Sequence, residues 1–192
     1  MKRSFSTELL SRKFFSRHPI LVAENLLGKV LVRVIKDKKS FYKIIETEAY
    51  SDDGDDACHY VRYGKTKRTE RLADIVGKSY IYSVHVNMYC FNFVAHKKGC
   101  AGGVLVRGIE KIEVGDKENK VFLGPAKSCR ELKIDRRYDG IDMLNNKEFY
   151  VVKGFKVKKS EIVRTKRINI DYAKNAKDWL WRYVVPPAKA EY

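Results

Sequence analysis

Val30-Leu31-Val32-Arg33-Val34-Ile35, then Lys36-Asp37-Lys38-Lys39, then Phe41-Tyr42-Lys43-Ile44-Ile45-Glu46-Thr47-Glu48-Ala49-Tyr50 is the stretch on which the fold turns. Two runs rich in β-branched and aromatic residues flank a short charged segment, which reads as strand, turn, strand. Further strands are predicted downstream at Ser79–Val84, Met88–Ala95, Val104–Ile112, Phe149–Phe155 and Trp181–Val185. His85-Val86-Asn87 reads as the tip of a hairpin between the first two of these. Upstream, Thr7–Leu31 carries helix-like apolar clusters with Arg12, Lys13 and Arg17. His18-Pro19 breaks the first helix, because the position before proline disfavours the helical conformation. Ser51–Lys78 is polar and irregular apart from a short helix around Glu70–Val76, and a helix follows Gly124-Pro125, where proline suits the first turn. Pro186-Pro187 ends regular structure. Many strands and few helices predict an α+β protein with an antiparallel core sheet.

Length and composition agree. One domain spanning residues 1–192 is the expectation for a chain of 192 residues. A hydrophobic fraction of 44% supplies a core and argues against a disordered chain, although 33% of residues are charged. There is no apolar run near the ~18 residues that a membrane span needs. The four cysteines are too sparse for a disulfide framework, and Met1–Glu8 lacks the apolar stretch of a secretory signal, so a cytoplasmic location is expected. The net charge of +16 points to a polyanionic partner. It is spread along the chain, with clusters at Lys65–Arg68, Arg136-Arg137 and Lys156–Lys159, so the footprint is a surface of the folded domain.

On a strand, Glu46, Glu48 and Tyr50 project from one face. Two carboxylates about 7 Å apart along the strand raise one another's pKa, which suits a general base. A neighbouring tyrosine offers a stacking surface. The competing reading is a solvated face paired with lysines. Asp52-Asp53-Gly54-Asp55-Asp56 offers hard oxygen ligands, which with Glu46 or Glu48 would build a divalent-metal nuclease. The bland alternative is a turn-forming acidic loop. Cys58-His59 has no second ligand pair at zinc spacing. Tyr80, Tyr82, Tyr89 and Phe91 make the hairpin aromatic, as core or as a platform for unpaired bases. Arg107 stands inside the apolar run Val104–Ile109 and needs a carboxylate such as Glu48, or a phosphate, as its partner.

Taken in order, the blocks Asn25–Arg33, Ile45–Tyr50, His59, Tyr80–Tyr82, Asn92, Val104–Glu110 and Gly124–Lys127 resemble the alkyladenine (3-methyladenine) DNA glycosylase family of vertebrates and many bacteria. The resemblance runs from about Phe14 to Tyr183. It implies a curved antiparallel sheet with flanking helices and a protruding hairpin. It implies a monomeric, monofunctional enzyme that flips a damaged purine out of double-stranded DNA and hydrolyses its glycosidic bond, with no metal or other cofactor. By resemblance Glu48 is the general base and Arg107 helps to hold the water. Tyr50 and His59 sandwich the base, Tyr82 closes the pocket edge, and Asn92 disfavours the amino group of guanine. The main-chain carbonyl of Ile170 is a further expected water ligand. Two positions depart from the family. His85 stands where a tyrosine usually wedges into the minor groove, and Asn169 stands where glycine is usual. A metal-dependent nuclease and a non-catalytic nucleic-acid-binding module remain the competing functions.

Overall fold

The computed structural model describes residues 5–113 and 118–186 of the chain. The strands, in order, are β1 (Ser6–Leu9), β2 (Val30–Ile35), β3 (Lys38–Ser51), β4 (Ser79–His85), β5 (Met88–Val94), β6 (Gly102–Lys111), β7 (Lys120–Leu123), β8 (Phe149–Gly154), β9 (Val163–Thr165) and β10 (Arg182–Val184). The α-helices are α1 (Arg12–Phe15), α2 (Pro19–Leu26), α3 (His59–Tyr63) and α4 (Pro125–Leu132). The predicted strand–turn–strand is present. Its connection is the two-residue turn Lys36-Asp37, with both φ angles positive at 47° and 62°. That geometry matches the twist of the flanking strands.

The sheet is antiparallel throughout, in the order β1-β8-β2-β3-β6-β5-β4. β3 is its spine. One edge of β3 pairs with β6, and the other is shared between β2 at Lys38–Lys43 and β10 at Glu46–Glu48. Two compensating irregularities interrupt the β3–β6 ladder. Ile44 faces Ile109, Glu46 faces Gly108 and Thr47 faces Val106, so Ile45 and Arg107 are each left without a direct partner. Bulges of this kind bend a strand and re-aim its side chains.

The sheet's two faces have different tasks. Ala49, Ile81, Phe91, Phe93, Val104 and Val106 join the main core. Phe15 stacks on Phe93 at 5.1 Å, and Phe91 touches Phe93 at 4.9 Å and Phe149 at 5.2 Å. α2 packs on this face through Val22, Ala23 and Leu26. Its start follows the predicted break: Pro19 holds the first helical position, and the Ile20 amide donates to His18 Nδ1 at 3.3 Å. Thr47 Oγ1 donates to the Ala23 carbonyl at 2.9 Å, which fixes α2 against β3. The opposite face of β3–β6–β5–β4 carries Tyr50, Leu105, Arg107, Asn92, Tyr80 and Tyr82, and it forms the floor and wall of a cavity. The aromatic hairpin divides by alternation: Phe91 is core, while Tyr80 and Tyr82 face the cavity.

Several local expectations are corrected. Residues from Ser6 to Leu9 are extended and pair with β8, whereas the apolar pattern predicts helix from Thr7. All four are exposed, so no buried stripe competes with sheet pairing. Thr69–Ala73 is a 3-10 helix, shorter than the predicted helix at Glu70–Val76. The hairpin turn is Val86-Asn87, and His85 is the last residue of its strand, opposite Met88. Pro187 and the chain ends lie outside the described residues. Among the described residues no helix is long and apolar enough to cross a membrane.

Candidate active site

The cavity holds about 490 Å³, and its lining includes Tyr50, His59, Tyr82, His85, Asn92 and Arg107. The sequence-predicted residues from β3, α3, β4, β5 and β6 therefore meet in one place. Glu48 does not line the cavity. It lies directly beneath, with no exposed surface.

Glu48 is held on every side. Its Oε1 accepts from the Ile168 amide at 2.8 Å, and its Oε2 accepts from Tyr50 Oη at 2.7 Å. Arg107 approaches both oxygens, Nε to Oε1 at 3.4 Å and Nη1 to Oε2 at 3.5 Å. Burial pushes the Glu48 carboxyl up from its ordinary range, while Arg107, the Ile168 amide and the Tyr50 hydroxyl partly pull it back. The face shared by Glu46, Glu48 and Tyr50 is therefore a buried polar network. The solvated, lysine-paired alternative is excluded by the burial of both glutamates.

Arg107 finds the carboxylate partner that its apolar strand demanded, and finds two. Its Nε also donates to Glu46 Oε1 at 3.1 Å. The Arg107 carbonyl accepts from Ser128 Oγ of α4 at 3.3 Å. Gly108 leaves room for Glu46, because a Cβ at that glycine would lie 2.9 Å from the Glu46 Cβ.

His59 caps the cavity wall. Its Nδ1 lies 3.1 Å from Tyr80 Oη, and its ring meets Tyr82 edge-on at 4.7 Å. Burial, with Arg68 and Arg62 nearby, pushes the imidazole down to about 4, so it is neutral at physiological pH. Burial holds the Tyr50 and Tyr82 phenols well above their usual value. The walls are therefore uncharged π-surfaces. Asn92 Nδ2 donates to the Tyr80 carbonyl at 3.1 Å, which ties the amide to the neighbouring strand.

The 167–170 loop closes the site and is only partly legible in the sequence. The Arg167 side chain is fully buried and makes a bidentate pair with Asp55, both bonds at 2.7 Å. Its guanidinium also sits 4.7 Å from the Tyr50 ring centroid and so backs the cavity wall. Asn169 has φ +59°. That is the left-handed region that glycine enters freely and asparagine tolerates, so the departure from glycine leaves the backbone shape available. The Ile170 carbonyl accepts from the Ala173 amide at 2.9 Å. No short sequence signal points to Arg167, Arg182 or Tyr172, since their partners lie far away in the chain.

The acidic run has structural work. Asp52 accepts from the Ala101 amide at 2.7 Å, Asp55 pairs with Arg167, and Asp56 accepts from the amides of Lys174, Asn175 and Ala176. The carboxylates organise two loops and do not converge with Glu46 and Glu48. Among the described residues no group of three or more His, Cys, Asp or Glu is arranged to hold a metal ion.

Known proteins are similar to this chain over nearly its full length. Residues 13–189 match the family described as methylpurine-DNA glycosylase. A Clostridium perfringens protein carrying the provisional name 3-methyladenine DNA glycosylase is 39% identical, across 94% of this chain and 97% of the relative. Relatives with the same provisional name from Clostridium acetobutylicum and Clostridium novyi are 38% and 34% identical, covering 92% and 94% of this chain. With an aromatic cavity above a buried acid on an antiparallel sheet, these matches place the protein in the class of DNA glycosylases. The chain belongs to the methylpurine-DNA glycosylase family.

Proposed function

We propose that this DNA glycosylase takes a damaged purine such as 3-methyladenine out of double-stranded DNA, stacks it between Tyr50 and His59, and hydrolyses its N-glycosidic bond with water deprotonated by Glu48. The observation that carries the reading is the buried Glu48 carboxylate, bonded to Tyr50 and Arg107 directly under the aromatic cavity. The proton of the water passes to Glu48, and its oxygen bonds to C1′. The C1′–N bond breaks, and its electron pair leaves with the base. A purine alkylated at N3 or N7 is cationic and needs no protonation to leave. Neutral tyrosine and histidine faces attract such an electron-poor ring. Arg107 positions the water, Tyr82 closes the edge, and Asn92 disfavours guanine's exocyclic amino group. His85, with Val86 89% exposed beside it, enters the gap left by the flipped nucleotide. The enzyme works as a monomer, without a metal or other cofactor, in the cytoplasm.

The exposed cations around α3 support a nucleic-acid footprint at the cavity mouth. Arg62 stacks over Tyr172 at 4.0 Å, with Lys65, Lys67 and Arg68 exposed beyond it. The decisive test is Glu48→Gln on a duplex oligonucleotide carrying one lesion. Binding persists, while release of the base, read as alkali-labile abasic sites, falls by roughly 10²–10⁴-fold. Unchanged release removes Glu48 from its role. Excision also continues in EDTA, and its loss there would favour the metal-dependent alternative.

A further inference from the structure

Four charged side chains stand in line across three strands: Arg182 on β10, Glu46 on β3, Arg107 on β6, and Glu48 back on β3. The signs alternate along this line. Glu46 Oε1 is the shared acceptor, taking Arg182 Nε at 2.7 Å and Arg107 Nε at 3.1 Å. That same Arg107 Nε lies 3.4 Å from Glu48 Oε1. Glu46 is 4% exposed, so its attractions are little screened by water. The arrangement is built into the backbone. The bulge at Arg107 turns its side chain toward both acids, and Gly108 supplies the space that Glu46 occupies.

We propose that Glu46 is a positioning residue whose carboxylate, gripped by Arg182, holds the Arg107 guanidinium partly away from Glu48. The inference rests on the reading of Glu48 as the base. A base fully paired with an arginine is a weak one, since the cation stabilises the carboxylate it must give up. By drawing on Arg107 from the other side, Glu46 leaves Glu48 basic enough to take a proton from water. Arg182 acts one step further back, by competing with Arg107 for Glu46. The other groups that bear on Glu48 are the Tyr50 hydroxyl, the Ile168 amide, the more distant Arg167 and the Cys90 thiol of β5. None of these touches Glu46, so they are constant across the variants below.

The line of charges predicts shifts of opposite sign from Glu46 and Arg182, the two members furthest from Glu48. The readout is the single-turnover rate of excision of 3-methyladenine, which is cationic, from duplex DNA, followed across pH. With a cationic base the acid limb reports the general base alone. Glu46→Gln releases Arg107 to Glu48, so the acid limb moves to lower pH by about half a unit or more and the plateau rate falls. Arg182→Gln leaves Glu46 entirely to Arg107, so the limb moves to higher pH. In the double variant the Arg182→Gln shift disappears, because Arg182 acts through Glu46. Limbs that coincide with the unsubstituted enzyme, or that move in the same direction, overturn the proposal. Arg182 is 23% exposed at its side chain, so Arg182→Gln carries the test by itself if Glu46→Gln does not fold. Glu48→Gln in the same assay keeps the two readings apart. An acid limb that survives in that variant removes Glu48 as the base, whereas a limb that vanishes there but is unmoved by the other two variants removes only Glu46.

Discussion

At the scale of single residues, the proposed chemistry rests on two groups displaced from their ordinary titration ranges in opposite directions. Glu48 is raised by burial, and His59 is lowered to about 4. In the proposed mechanism only ionised Glu48 accepts a proton from water, so activity is expected to be full above its pKa and lost as pH falls through it. The predicted acid limb therefore lies above the ordinary glutamate value. His59 is already neutral over that window and adds no second break between about pH 5 and 8, the range in which an unperturbed histidine titrates. A pH–rate profile with a histidine-like step near ~6.5 would contradict this assignment. Residue identities at this scale are largely legible in the sequence. Alternation alone puts Glu48 and Tyr50 on one face, and an arginine in an apolar strand announces a buried acid. The pairs Arg167–Asp55 and Arg182–Glu46 are not legible, because they join residues more than a hundred positions apart and neither carries a local pattern.

At the scale of elements, the loops matter as much as the strands. The Asp52–Asp56 segment reads as a ligand loop or a plain turn, yet Asp55 is the anchor of the 167–170 loop. Both partners of that ion pair have fully buried side chains. Removing one charge leaves the other uncompensated, so Asp55→Ala should cost about 3–5 kcal/mol of stability. Denaturant unfolding measures this directly, and a loss under ~1 kcal/mol, the scale of an exposed pair, would show that the pair is not structurally important. The hairpin makes a second element-scale prediction. If His85 and Val86 stabilise the flipped state, His85→Ala should slow excision from duplex DNA by roughly tenfold or more. Excision from a single strand, where nothing has to be unstacked, should be unchanged. Equal losses on both substrates would place His85 in the pocket chemistry instead. The central hairpin is readable from its apolar runs, and so are the β4–β5 pair and the break before Pro19. β1, β7 and β9 are not, because they are short and nearly all their residues are exposed, which leaves no alternation to detect.

At the scale of the whole molecule, the net charge of +16 is divided between regions that stand in different relations to the cavity. Arg62, Lys65, Lys67 and Arg68 are exposed on and just after α3, the helix that carries His59. Lys156, Lys158 and Lys159 are exposed after β8, which is separated from the β4–β5 hairpin by β2, β3 and β6 in the sheet order. On the proposed reading, a duplex that presents a flipped nucleotide to Tyr50 and His59 lies across the first region. Each phosphate neutralised there releases counterions, so log affinity falls with log salt in proportion to the number of phosphates engaged. Replacing Lys65 and Lys67 by alanine should reduce that slope by about one for each phosphate left without its lysine, with little change in the rate of bound enzyme. The same replacements at Lys158 and Lys159 should leave the slope near its original value. Fluorescence anisotropy across a salt series, using the Glu48→Gln protein so that the lesion survives, separates these outcomes. If the distant lysines carry the slope and the α3 lysines do not, the DNA runs over the β8 side of the sheet, and the cavity is not where the duplex delivers its base.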